Sequence, residues 1–312
     1  MRVGDIFSGP EAPRLKSPVS NINPEEARVP IDEIESLEMP DGTWAVTDGR
    51  QFWLHRPTPL QAPVFSSSLR HPGSSGHTRQ MLAAALAAGA AHHPRDTSSS
   101  PSDQPSLTRY IYALAGNYQT THRTPLTMRH VAVRLRGRGD EALARYCEEV
   151  ADEETGHDRL LLQDLEALGL RAAEFVQDVR PRRAMKLLAL IDEFADGPAP
   201  VAVLGCAYAL ERYALLITRE AVAAVEAIVP AGSAATRGLR LHSAIGSDAG
   251  HAARSLEVIT RLAPLDRTAV VHAAHETSAL VWSPTDYPGD AAVDQLIARY
   301  VRPASMPADC SS

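Results

Sequence analysis

The chain has 312 residues, enough for one large domain or two smaller ones, and 44% of them are hydrophobic, which suffices for a substantial core. Its formal net charge of −7 argues against a nucleic-acid or anionic-membrane partner, whose footprint is usually basic. No apolar signal core or bilayer-length apolar run is present and the three cysteines are scattered, so we expect a soluble cytoplasmic protein without a disulfide framework.

The first third of the chain is punctuated by proline, glycine and serine. Residues 44–54 (WAVTDGRQFWL) predict a β-hairpin, because Asp48-Gly49 is a strong turn signal between two apolar runs. Residues 81–91 predict a short helix, and residues 92–106, rich in serine and proline, predict a flexible linker. The predicted division is a small N-terminal segment at 1–91, the linker at 92–106, a helical domain at 107–303 and a tail at 304–312.

From residue 107 onward the apolar residues recur with helical spacing, and no alternating strand pattern is present. Glycine and proline divide this region into candidate helices. They are 107–122, 126–138, 140–168, 181–194, 199–229, 233–263, 266–283 and 289–301. The sequence therefore predicts an all-α bundle of about seven to eight helices, preceded by a small irregular and β-containing N-terminal segment.

Three candidate helices carry groups that suit a metal site. Glu154 and His157 stand at positions i and i+3, as do Asp248 and His251, and residues with this spacing share a helix face. Glu211 is a lone carboxylate in an apolar run, where burial without a partner costs several kcal/mol. Each feature alone also fits an ordinary solvated pair, surface ion pair or helix cap. Their coincidence on three helices favours a site, and oxygen and imidazole donors suit iron or manganese.

The helical region resembles the haem-oxygenase-like superfamily, which includes thiaminase II, pyrroloquinoline-quinone synthase and non-haem di-iron oxidases and oxygenases. The resemblance covers residues 107–283 and rests on EETGHDRLLLQDLEALG, GCAYALERYA and HSAIGSDAGHAARSLEVI. It implies a haem-oxygenase-like helical bundle and, in the di-iron branch, two Fe(II) ions per chain. The ligands implied by the resemblance are Glu154, His157, Glu211, His242, Asp248 and His251.

One ligand departs from the commoner pattern of that branch, His-x3-Asp-x2-His. Here His242 lies six residues before Asp248, and Ala244 stands where the pattern has histidine. In a regular helix His242 and His251 would point to opposite faces. His242 can therefore be a ligand only if the helix is interrupted, and Gly246 is a candidate for that interruption.

The resemblance implies an enzyme that activates O2 to oxidise a small molecule in specialised metabolism, by N-oxygenation, desaturation or C–C cleavage. An external electron donor and a homodimer are expected, with no nucleic-acid or membrane partner. Tyr118 and Tyr208 are candidates to line the substrate pocket. Two alternatives stay open: a metal-free thiaminase II-like hydrolase with Cys206 as nucleophile and Glu276 as a second acid, and a non-catalytic helical binding protein.

Overall fold

The computed structural model describes residues 34–56, 69, 74–91, 106–243, 248–283 and 287–302 of the chain. Its helices are α1 Ser75–Ala91, α2 Leu107–Gly137, α3 Glu141–Glu154, α4 His157–Ala167, α5 Ala172–Asp178, α6 Arg182–Asp196, a 3-10 turn Pro200–Ala202, α7 Val203–Ala214, α8 Arg219–Glu226, α9 Arg237–Leu241, α10 Asp248–Thr260, α11 Pro264–Trp282 and α12 Asp290–Ala298. This architecture confirms the predicted helical bundle with a small β-containing N-terminal segment.

The N-terminal segment contains an antiparallel sheet of three strands in the order β1 Glu35–Glu38, β2 Trp44–Thr47 and β3 Phe52–His55. The hairpin expected at 44–54 is formed by β2 and β3, with Trp44 opposite His55 and Thr47 opposite Phe52. Its loop has four residues rather than two, because Oδ1 of Asp48 accepts hydrogen bonds from the N–H groups of Arg50 and Gln51 and so prolongs the turn. Strand β1 was not predicted.

The sheet and α1 share one hydrophobic core with the helical bundle. Buried residues of both parts belong to the same cluster, among them Leu37, Met81, Leu82, Leu204 and Val270. An ion pair between Glu35 of β1 and Arg267 of α11 is also almost completely buried, with 2.8 Å between Oε1 and Nη2. The described part of the N-terminal segment is therefore packed into the same unit as the bundle. Residues 92–105 of the proposed linker and the tail 304–312 lie outside the described residues, so the predicted boundaries stay a prediction.

The helix boundaries differ from the predicted ones at several breaks. The predicted helices 107–122 and 126–138 form one helix, α2, because Pro125 removes a single backbone hydrogen bond without ending the helix. The predicted helix 140–168 is divided into α3 and α4 at Gly156, which has a φ of +94°. The predicted spans 199–229 and 233–263 are each divided as well, and α5 was missed.

Within the described ranges, no single helix is both long and apolar enough to cross a membrane. The segments Pro200–Ala214 and Arg219–Glu226 meet the requirement of length and composition only as a pair, and that pair is bent by 71°.

The bundle is organised around α2, the longest helix, which packs against α3, α4 and α6. Helix α7 packs against α10 and α11. The end of α3, the beginning of α4 and the residue after α9 meet beside these helices, and three of the predicted metal ligands, Glu154, His157 and His242, lie at this meeting point.

Candidate metal centre

Glu154 and His157 lie on opposite sides of a turn that interrupts the helix. Glu154 is the last residue of α3 and His157 is the first residue of α4. Between them Gly156 has a φ of +94°, a conformation that glycine adopts without a steric penalty. The turn leaves Oε2 of Glu154 3.0 Å from Nδ1 of His157. The predicted pairing is therefore present, although a turn creates it and not the face of a continuous helix.

Arg129 of α2 holds this break in place. Its Nη2 atom donates hydrogen bonds to Oδ1 of Asp152 at 3.0 Å and to Oγ1 of Thr155 at 3.1 Å. The Thr155 hydroxyl in turn donates to the carbonyl of Ala151 at 2.7 Å. The residues on either side of Glu154 are thus anchored to the long central helix.

His242 joins Glu154 and His157 in a cluster of three. The ring centroids of His157 and His242 are 5.3 Å apart at an angle of 69°. One ligand atom from each of the three residues lies within 4.8 Å of the other two. This geometry depends on the interruption between α9 and α10, since His242 follows the end of α9 with φ −94° and ψ 62°. Gly246, the residue expected to allow the interruption, lies outside the described residues.

The chemistry of this cluster fits iron. Two imidazoles and one carboxylate, leaving further coordination positions open, are the ligand set of many non-haem Fe(II) oxygenases. The side chains of Glu154 and His157 are 18% and 22% exposed, so they can accept an ion without unfolding their surroundings. Among the residues that the structure describes, Glu154, His157 and His242 are consequently the best arranged to hold a metal ion.

Glu211 and His251 line the same cavity as Glu154 and His242 but do not belong to the three-residue cluster. Oε2 of Glu211 accepts a hydrogen bond from Oγ of Ser255 at 3.3 Å. The hydroxyl of Tyr146, whose pKa is raised by burial, lies 2.9 Å from the same Ser255 oxygen. This short chain of hydroxyl groups orients the Glu211 carboxylate. The side chain of Asp248 lies outside the described part of the structure.

His251 is directed toward a neighbour of the cluster. Its Nε2 atom lies 3.7 Å from Oε2 of Glu153, the residue before Glu154. Glu153 also accepts a hydrogen bond from Arg254 at 2.8 Å, and this guanidinium lowers the pKa of the Glu153 carboxyl. In this conformation His251 is engaged with an ion pair, which separates it from the three-residue cluster.

A cavity of about 460 Å³ adjoins the cluster and is lined by Glu154, Glu211, His242 and His251. Its volume falls within the range of small-molecule sites, roughly 300–1,000 Å³. Much of its wall is apolar and comes from α2, α6, α7, the segment after α7 and α9, including Leu114, Met128, Leu187, Leu210, Ile217 and Leu239. Four of the predicted ligands therefore face one apolar chamber.

The two tyrosines predicted to line the substrate pocket lie outside the wall of this cavity. Tyr118 and Tyr208 are not among the residues that line the cavity. Tyr118 stacks on His122, one turn further along α2, with ring centroids 5.3 Å apart, and Tyr208 is buried in the hydrophobic core. The aromatic wall of the cavity is formed by Tyr110, Tyr112, Tyr213 and Tyr287.

The thiol alternative finds no support in the geometry. Cys206 is 1% exposed and packs against Ala202 and Ala273. Burial raises the pKa of its thiol to about 12, which opposes formation of a nucleophilic thiolate. Neither Cys206 nor Glu276 lines the 460 Å³ cavity.

Sequence reasoning missed four residues whose hydrogen bonds lie around the candidate ligands or their helices: Arg129, Tyr146, Asp164 and Ser255. A signal existed for Asp164, because residues 157, 161 and 164 are spaced to share one helix face and Leu161 lies on the buried side. Arg129 and Ser255 carry no such signal, since arginine and serine are usual on exposed faces and their partners come from distant helices.

Comparison with known protein families provides a match. A family model described as an iron-containing redox enzyme matches residues 112–282, more than half of the chain. The matched region includes Glu154, His157 and His242, together with most of the cavity wall. No match was found among curated proteins or among solved structures.

Proposed function

The chain belongs to the iron-containing redox enzyme family of the haem-oxygenase-like superfamily, and on that premise we propose that it is a non-haem iron enzyme that oxidises a small molecule with O2. The observation that carries the proposal is the cluster of Glu154, His157 and His242, whose ligand atoms lie within 4.8 Å of one another beside a cavity. Iron held by these residues supplies the redox chemistry needed to activate O2.

The proposal includes a second iron in the same chamber. Glu211 and His251 line the cavity together with Glu154 and His242, and Asp248 lies one helical turn before His251. Because His251 contacts Glu153 in the structure, its use as a ligand requires the imidazole to leave that carboxylate. We therefore propose that the second iron binds more weakly than the first.

The substrate is proposed to occupy the 460 Å³ cavity, against the apolar wall formed by α2, α6 and α7. An apolar substrate seated against this wall would displace water from the reacting groups, which would strengthen their electrostatic interactions. An external donor would supply the electrons that the overall oxidation requires. The reaction classes that fit are N-oxygenation, desaturation and C–C cleavage, as expected from the sequence.

Anaerobic titration with Fe(II) tests the proposal. The wild-type protein should bind up to two Fe(II) ions per chain. His157→Ala and His242→Ala should each weaken the tighter site by more than the roughly 10- to 100-fold that loss of an outer-shell partner costs. His130→Ala is the matched control, because His130 lies on the exposed side of α2 in contact with Asp196, and its binding should equal that of the wild type.

Two results would contradict the proposal. Wild-type Fe(II) affinity at the tighter site in both His157→Ala and His242→Ala would remove the cluster from the metal site. Absence of Fe(II) binding by the wild type would refute the assignment as an iron enzyme. Exposure of the loaded protein to O2, followed by optical absorption and O2 consumption, then tests the redox part of the proposal.

A further inference from the structure

A buried carboxylate connects the two helices that position the histidines of the cluster. Asp164 lies on α4, about two turns after His157, and its side chain is completely buried. Its Oδ1 accepts a hydrogen bond from the backbone N–H of Arg237 at 3.0 Å. Its Oδ2 accepts one from the backbone N–H of Gly238 at 2.9 Å.

These two N–H groups belong to the first two residues of α9, where a helix has no internal acceptors for them. His242 directly follows the last residue of this short helix. A neutral serine or threonine oxygen would ordinarily satisfy one such donor. A carboxylate that accepts from two successive N–H groups fixes the rotation of α9 as well as its distance from α4.

Gly238 permits the close approach of the two helices. A Cβ atom at this position would lie 2.6 Å from Cδ2 of Leu161 and 3.3 Å from Oδ2 of Asp164. The same segment is held from α2, because the hydroxyl of buried Tyr110 donates to the carbonyl of Ala235 at 2.6 Å. The chain before His242 is therefore held at several points inside the protein.

We infer that Asp164 is a positioning residue for the metal centre, which fixes α9 against α4 so that His242 meets Glu154 and His157. This inference rests on the proposed function, since it assigns Asp164 a role through the ligands named there. Asp164 does not touch the metal or the substrate in this assignment. Its effect is to set the distance between the two imidazoles, whose ring centroids are 5.3 Å apart.

The test is the variant Asp164→Asn. Asparagine keeps the size of the side chain but replaces one acceptor oxygen with an N–H2 group, which faces a backbone donor and cannot bond to it. Anaerobic Fe(II) affinity should fall about 10- to 100-fold, the usual cost of losing an outer-shell partner. The visible spectrum of the Co(II)-loaded protein should also change, because it reports the number and geometry of the histidine ligands.

Glu35→Gln is the matched control. Glu35 is also a completely buried carboxylate, but it pairs with Arg267 between β1 and α11 and lies outside the cluster. Both variants should lower the thermal stability, whereas only Asp164→Asn should change the Fe(II) affinity and the Co(II) spectrum. Affinities are compared at a temperature at which circular dichroism shows all proteins to be folded.

If Asp164→Asn does not fold, Gly238→Ala decides, because a Cβ there would lie 2.6 Å from Cδ2 of the buried Leu161 and 3.3 Å from Oδ2 of Asp164, which forces a shift at the contact between α9 and α4 while leaving the carboxylate in place. Gly238→Ala, like Asp164→Asn, should weaken Fe(II) binding. If the folded variant keeps the wild-type Fe(II) affinity and Co(II) spectrum, the inference is overturned while the proposed function stands. The same holds if Glu35→Gln loses as much Fe(II) affinity as the variant does. Failure of the wild-type protein to bind Fe(II) would overturn the proposed function, and the inference with it.

Discussion

Glu154 ends one helix and His157 begins the next, yet Oε2 of Glu154 and Nδ1 of His157 are 3.0 Å apart. The contact depends on the turn at Thr155-Gly156 and on the positive φ of Gly156. A continuous helix would also bring residues at i and i+3 near each other, but with side chains parallel along one face. The break gives each side chain its own direction, so that both can meet His242.

Gly156→Ala should therefore damage the metal centre as well as the fold. No atom lies within 4 Å of a Cβ placed there, so the cost arises from backbone strain at a φ of +94° and not from a collision. A left-handed conformation costs a non-glycine residue about 1–2 kcal/mol. We expect a loss of stability of that size in chemical denaturation, together with weaker binding of Fe(II) in an anaerobic titration.

Gly139→Ala is the control for this prediction. Gly139 also has a positive φ, +86°, and open space around its Cβ position, and it lies between α2 and α3, outside the cluster. It should lose a similar amount of stability and bind Fe(II) as the wild type does. Equal Fe(II) affinities in the two variants would show that the turn at Gly156 has no role in the site.

The bundle could be predicted from sequence because apolar periodicity reports which faces are buried. The breaks between helices could not be predicted, because a proline or a glycine does not by itself determine where a helix ends. Pro125 lies inside α2, where packing on both sides outweighs one missing hydrogen bond, whereas Gly156 ends α3 because the chain must turn toward α4. These outcomes depend on contacts between distant segments, which local propensity does not contain.

The candidate site could likewise be predicted only in part from the sequence. Glu154 and His157 are visible by their spacing, and His242 required both the resemblance and an interrupted helix, which the structure has between α9 and α10. The contact of His251 with Glu153 could not be foreseen. Two adjacent glutamates look alike in a sequence, and only tertiary packing determines which one faces the cavity.

The N-terminal strands should stabilise the whole bundle. Replacing Glu35 by Gln removes one charge of an ion pair that is almost completely buried, and breaking such a pair costs about 3–5 kcal/mol. We expect urea denaturation to show one cooperative transition at a lower midpoint. Glu38→Gln, with the side chain exposed on the same strand, should unfold as the wild type does.

The shared core also predicts the outcome of cleavage within residues 92–106. The two pieces should stay associated, because residues of β1, β2 and α1 complete the core of the bundle. A fragment that begins at residue 107 should aggregate or unfold when expressed alone. Cooperative unfolding of that fragment at wild-type stability would instead support two independent units.

Cys206 should resist alkylation in the folded protein. With a pKa raised to about 12 by burial, about one thiol in 10⁴ is ionised at pH 8, compared with about a quarter for an exposed cysteine. Iodoacetamide followed by peptide mass spectrometry should find Cys206 unmodified in the native protein and modified after denaturation in urea. Rapid native modification of Cys206 with loss of activity would restore the thiaminase-like alternative.

His272 should make stability depend on pH below neutrality. It is partly buried on α11, and Nε2 lies 2.8 Å from the carbonyl oxygen of Glu38 in β1. Burial lowers the pKa of His272 below its ordinary value of 6.5, against the opposing effect of the Glu38 contact.

The folded protein then binds fewer protons than the unfolded chain in the window just below pH 6.5, so stability falls as the pH decreases through it. His272→Gln preserves a donor for the Glu38 carbonyl but does not titrate. Urea denaturation at a series of pH values between about 7.5 and 5 should therefore show a smaller loss of stability in His272→Gln than in the wild type. Parallel pH profiles for the two proteins would show that protonation of His272 does not loosen the contact between β1 and α11.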